Sequence, residues 1–134
     1  MKKMEETAIL CVDDDKLVLD SLRLQLTRHF DSQYVLEFAQ DAEEALELIG
    51  QLADDGIRTV LIISDWIMPG INGDEFLIEV KKRYPHIRTM ILTGQADEVK
   101  VQELREMNVT NSILSKPWNE QIFVRTIDRL LSDI

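Results

Sequence analysis

The chain has 134 residues, a formal net charge of −10 and a single cysteine, a length suited to one domain with a real core. Its acidity argues against nucleic-acid binding through this chain, since phosphate contacts need clustered lysine and arginine, and one cysteine precludes an internal disulfide. No apolar run reaches the roughly 18 residues that span a bilayer and MKKMEET lacks a signal peptide's apolar stretch, so a cytoplasmic location away from membranes is expected.

Ala8–Val12 (AILCV) is a short apolar run that reads as a strand, with Cys11 as a small buried hydrophobe. Asp13, Asp14 and Asp15 follow at once, and Asp15 is placed to cap the next helix. Leu19, Leu22, Leu26 and Phe30 recur at helical spacing through residues 16–30. Tyr34–Ala39 is a second strand. Asp41 and Glu44 form a capping box for a helix with Ala42, Ala45, Leu46, Ile49 and Leu52 on its apolar face, ended by Asp54, Asp55 and Gly56.

Thr59–Ile63 is rich in β-branched residues and suits a strand buried on both faces. It stops at Ser64 and Asp65. Pro69, Gly70 and Gly73 punctuate a loop. Asn72, with Glu75 in register, caps a helix that turns Phe76, Leu77, Val80 and Tyr84 inward and closes before Pro85. Lys81, Lys82 and Arg83 on that helix read as a solvated face. Ile87–Leu92 is a fourth strand ending in Thr93 and Gly94. Asp97–Met107 is helical, with Val101 and Leu104 as its best apolar pair. Asn111–Ser115 is a short fifth strand leading into Lys116 and Pro117. Asn119 caps the last helix, Trp118 and Phe123 are spaced as a hydrophobic staple, and Phe123, Ile127, Leu130, Leu131 and Ile134 form the buried side.

Strand–helix alternation implies an α/β domain with a parallel sheet and helices on both faces, a three-layer sandwich. The flavodoxin-like (βα)5 order 2-1-3-4-5 is the commonest five-strand solution, although periodicity alone leaves the order open. In such a sheet, ligands gather at the carboxyl ends of the strands. Those ends carry Asp13 and Asp14, Asp65, Thr93 and Lys116. Three carboxylates on one rim repel one another, so at least one should resist ionisation. Mg2+ would relieve that repulsion, because it takes one or two carboxylates and keeps waters for phosphoryl oxygens. With a lysine and a hydroxyl opposite, the set suits phosphoryl transfer to a carboxylate nucleophile.

ILCVDDD at residues 9–15, ISDWIMPGINGDEF at 63–76, ILTG at 91–94 and SKPW at 115–118 together resemble the response-regulator receiver domain of two-component signalling, chemotaxis-regulator-like, over nearly the whole chain. The resemblance implies a single receiver domain over residues 1–134. Asp65 would be the phosphoacceptor. Asp14 and Asp65 would bind Mg2+ directly, Asp13 mostly through water, and the Ile67 carbonyl would add a ligand. Lys116 would pair with the acceptor and then with the phosphoryl group, Thr93 would hydrogen-bond a phosphoryl oxygen, and the Lys116–Pro117 peptide would be cis. The donor would be a sensor histidine kinase or phosphotransfer protein. The helix 4–strand 5–helix 5 surface would switch toward an output domain, a downstream protein or a second copy as a homodimer. Such a domain catalyses only its own phosphorylation and dephosphorylation.

Two departures bear on what the resemblance implies, one at Ile113 and one at the variable pair Ile67 and Gln95. Ile113 stands three residues before the lysine, where Tyr or Phe is usual, so the aromatic half of the switch is missing. Ile67 and Gln95 flank the phosphoryl position, which predicts slow to moderate autodephosphorylation. Two other readings compete. A haloacid-dehalogenase-type phosphatase would require a second Asp where Ile67 stands, and an unphosphorylated pseudo-receiver would not require the full acid, Thr and Lys set.

Overall fold

The computed structural model describes residues 6–66, 73–94, 98–107 and 110–132. Strands β1 (Glu6–Val12), β2 (Val35–Ala39), β3 (Ile57–Asp65), β4 (Arg88–Thr93) and β5 (Ser112–Ser115) alternate with helices α1 (Lys16–Phe30), α2 (Ala42–Asp54), α3 (Gly73–Arg83), α4 (Glu98–Met107) and α5 (Glu120–Leu131). The strands form one sheet in the order β2-β1-β3-β4-β5, every pairing parallel. The flavodoxin-like (βα)5 architecture is therefore the one observed.

The elements start and stop where local chemistry directs. The Asp15 carboxylate accepts from the Leu17 amide (2.9 Å), Asp41 from the Glu44 amide (2.8 Å) and Asn119 from the Ile122 amide (3.0 Å), each satisfying an orphan helix donor. Glu44 returns the bond one residue earlier than a standard capping box, accepting from the Gln40 amide at 2.9 Å. Trp118 meets Phe123 with ring centroids 5.8 Å apart, as the staple spacing predicts. The Lys116–Pro117 peptide is cis.

Several strand bounds differ from those the apolar runs suggest. β1 begins at Glu6 and β3 at Ile57 because the two pair from those residues onward; pairing, not hydrophobicity, sets their length. Asn111 stays outside β5, since its amide donates to the Thr89 carbonyl (3.0 Å) while its side-chain carbonyl accepts from the Thr89 amide (2.9 Å). The expected cap Asn72, the start at Asp97, the loop residues Pro69 and Gly70, the side chain of Leu104, and Ile134 lie outside the described residues.

Two apolar layers sandwich the sheet. On one face, Leu22 and Leu26 of α1 and Phe123 and Ile127 of α5 pack against Ile9, Cys11, Leu61 and Ile63. On the other, Ala45 and Ile49 of α2 and Phe76, Leu77 and Val80 of α3 pack against Leu10, Ile62 and Ile91. Each large aliphatic side chain buried here contributes about 1.5–3 kcal/mol. Between Ala8 and Ile9 the β1–β3 register shifts: Ala8 pairs with Thr59 but Ile9 with Leu61, leaving Val60 as an extra residue. Such a bulge re-aims everything beyond it. Here it brings Val12 opposite Ser64, so the residues that follow, Asp13 just past β1 and Asp65 at the last position of β3, stand side by side at the sheet's carboxyl edge.

Candidate functional site

The carboxyl edge of the sheet gathers the predicted residues. Register places Asp65 beside Leu92, and Thr93 beside Ser115, so β1, β3, β4 and β5 deliver Asp13, Asp65, Thr93 and Lys116 to one rim. Asp13, Asp14 and Asp65 each offer a carboxylate oxygen, all within 4.8 Å of one another. Asp13 is 2% exposed, Asp65 half-buried and Asp14 exposed. Ile67, expected to add a carbonyl ligand, and Gln95 lie outside the described residues.

Each carboxylate is held differently. The backbone N–H of Asp13 donates to the Ala39 carbonyl at 3.0 Å. Its Oδ1 accepts from the Asp15 amide at 2.9 Å, and its Oδ2 from Lys116 Nζ at 2.7 Å. Asp65 Oδ1 accepts from the Trp66 amide at 2.7 Å, while its Oδ2 lies 3.4 Å from Lys116 Nζ. The lysine expected to pair with the acceptor thus bridges two carboxylates and sits closer to Asp13. Thr93 is buried, and its carbonyl accepts from the Lys116 amide at 2.8 Å, which anchors the end of β5 to β4.

The electrostatics follow from this crowding. Burial raises the Asp65 carboxyl above the usual carboxylate range. The nearby Lys116 charge and the Trp66 N–H oppose the rise, and the Asp13 charge adds to it. Burial works against the charge on Lys116, but its hydrogen bond to Asp13 and the charges of both aspartates outweigh it and raise its pKa. The expected carboxylate that resists ionisation is therefore Asp65.

The donor set fits a hard divalent cation: three carboxylate oxygens, one of them from an exposed residue. Chemically, the rim can present a carboxylate nucleophile beside an ammonium and a buried hydroxyl. Sequence reasoning missed the contact that orders the loop after β5, a hydrogen bond from Trp118 Nε1–H to Gln25 Oε1 at 2.8 Å. The only available signal was the indole N–H itself, which seeks a partner when buried. Ile113, on β5, is partly buried and packs on the α2–α3 side of the sheet.

The profile of the response regulator receiver domain matches residues 9–128. The hydrogenase transcriptional regulatory protein HoxA of Cupriavidus necator is 30% identical over 92% of this chain and 24% of its own length. The signal receiver domain of an HD domain-containing protein from Pseudomonas fluorescens superposes with a TM-score of 0.84 at 26% identity, covering 99% of this chain and 92% of that one. A CheY-like receiver domain protein from Methanospirillum hungatei gives 0.80 at 25% identity, covering 97% and 96%. The chain spans about a third or less of the length of the curated relatives it matches.

Proposed function

Since the chain belongs to the response regulator receiver domain family, we propose that Asp65 is its phosphoacceptor and that Asp13, Asp14, Thr93 and Lys116 serve the transfer. The single observation that carries this reading is the convergence of three carboxylates and one lysine on the carboxyl edge of the sheet. Asp65 attacks the phosphorus of a phosphohistidine on a sensor histidine kinase or phosphotransfer protein. The O–P bond forms, the N–P bond breaks, and the imidazole leaves with a proton from solvent. Lys116 steadies the charge that develops on the phosphoryl oxygens, and Thr93 offers one of them its hydroxyl. Asp13, Asp14 and Asp65 would hold Mg2+, with the Ile67 carbonyl as an expected further ligand. Bound there, the ion would neutralise charge shared between acceptor and phosphoryl group.

The domain acts as a switch, not as an enzyme with turnover on a separate substrate. Phosphorylation shifts a two-state equilibrium toward a surface on α4, β5 and α5 that engages an output domain, a downstream protein or a second copy. Large apolar side chains are exposed on α4 (Val99, 65%) and α5 (Ile122, 51%), as they also are on α1 (Leu17, 76%, and Leu24, 60%). We read the chain as one cytoplasmic receiver domain; among the described residues no helix is long and apolar enough to cross a membrane.

The test is intact mass after incubation with Mg2+ and a small phosphodonor. One phosphoryl adduct is expected on the native chain and none on Asp65→Asn. No adduct on the native chain, or an equal adduct on the variant, would sink the assignment.

A further inference from the structure

Lys116 stands on a loop with few backbone ties of its own. Its amide is bonded to Thr93, but Pro117 has no N–H to donate, and α5 begins only after Asn119. What lies between is Trp118. Its ring packs on Phe123 and against the α1–α5 core, and its Nε1–H donates to Gln25 Oε1 at 2.8 Å. Gln25 belongs to α1, beside the fully buried Leu22 and Leu26. That helix springs from the acidic loop: Asp15 caps it, and the Asp15 amide is bound to Asp13. One rigid helix therefore carries the acidic loop at its start and, about 15 Å further along, the acceptor for the indole.

Resting on the phosphoacceptor reading, we propose that Gln25 is a positioning residue: its hydrogen bond to Trp118 struts the β5–α5 loop against α1 and so holds Lys116 Nζ within reach of both Asp13 and Asp65. The tolerance at that nitrogen is small. It lies 2.7 Å from one carboxylate and 3.4 Å from the other, and charge-assisted hydrogen bonds weaken over a few tenths of an ångström. A free glutamine has many rotamers; the indole N–H selects one, and the indole in turn fixes the loop.

The test uses initial phosphorylation rates of the full chain with Mg2+ and a small phosphodonor, read by intact mass. Gln25→Leu and Trp118→Phe, which retains a ring for the staple, should each slow the reaction about fivefold, the size of one net hydrogen bond. The double variant should be no slower than either single one. Gln25→Glu, which keeps an acceptor for the indole, should restore the rate, and Gln25→Leu in a Lys116→Ala background should have no further effect. Additive losses, or an undiminished fivefold loss without Lys116, overturn the strut. Crystal structures of the native and Gln25→Leu proteins give a reading free of phosphate chemistry. In the variant the β5–α5 loop should shift away from α1 and lengthen the 3.4 Å separation of Lys116 Nζ from Asp65 Oδ2, and a Lys116 and loop that superpose on the native ones overturn the strut. A native chain that takes up no phosphoryl group overturns the phosphoacceptor assignment instead, and the crystal comparison still decides the strut.

Discussion

Lys116 Nζ lies 2.7 Å from Asp13 Oδ2 and 3.4 Å from Asp65 Oδ2. The more buried carboxylate, 2% exposed, holds the lysine more closely. A buried charge stripped of its partner is costly, so the lysine stabilises the fold at Asp13 while its Nζ stays 3.4 Å from Asp65.

Lys116→Met should therefore destabilise the protein by about 2–4 kcal/mol at pH 7 without divalent cation. The Lys116 pKa is raised, since its bond to Asp13 and the two carboxylate charges outweigh burial. Its contribution is then complete below the unfolded lysine value of about 10.4 and fades as pH rises through the folded one. Urea midpoints of native and variant should differ by the same amount from pH 7 up to the unfolded lysine value and draw together only as pH climbs beyond it; coincident midpoints at pH 7 would refute this.

Asp65→Asn should raise stability at neutral pH. Burial raises the Asp65 pKa despite Lys116, so the fold binds this proton more tightly than the unfolded chain and is penalised once the group ionises. The gain in melting temperature should be full above the folded pKa. It should shrink as pH falls through that value toward the unfolded one of about 3.9. Thermal melts between pH 3.5 and 7 in chelator test this, and a variant that melts lower at pH 7 contradicts it.

Mg2+ should stabilise the native chain by mass action, about 1.4 kcal/mol at ten times its dissociation constant. Asp14 is exposed, so Asp14→Asn should leave cation-free stability within about 0.5 kcal/mol yet blunt the Mg2+ response. Melts with and without the ion separate the two effects; an undiminished response in the variant removes Asp14 from the cation site.

Cys11 is fully buried in β1, and burial pushes its thiol pKa well up. A thiol reagent should label it no faster than the chain unfolds. Labelling rates across a urea series should track the unfolding equilibrium, and prompt labelling of the native protein would contradict the packing described.

Much of this was legible in the sequence, because periodicity and capping act over a few residues. The spacing of Leu19, Leu22, Leu26 and Phe30 dictates which face of α1 is buried, and Asp15, Asp41 and Asn119 declare helix starts through their own side-chain oxygens. The apolar runs ending in Asp13, Asp65 and Thr93 name the rim residues without any contact map. What the tertiary structure alone decided is how those ends meet. The strand order and the extra residue Val60 in the β1–β3 pairing set Asp13 beside Asp65. Lys116, 103 positions from Asp13 in the chain, chose its nearer partner by burial. Gln25 met Trp118 across a separation of 93 residues. Such choices depend on where water is excluded and on distances between elements far apart in the chain, and no local pattern encodes either.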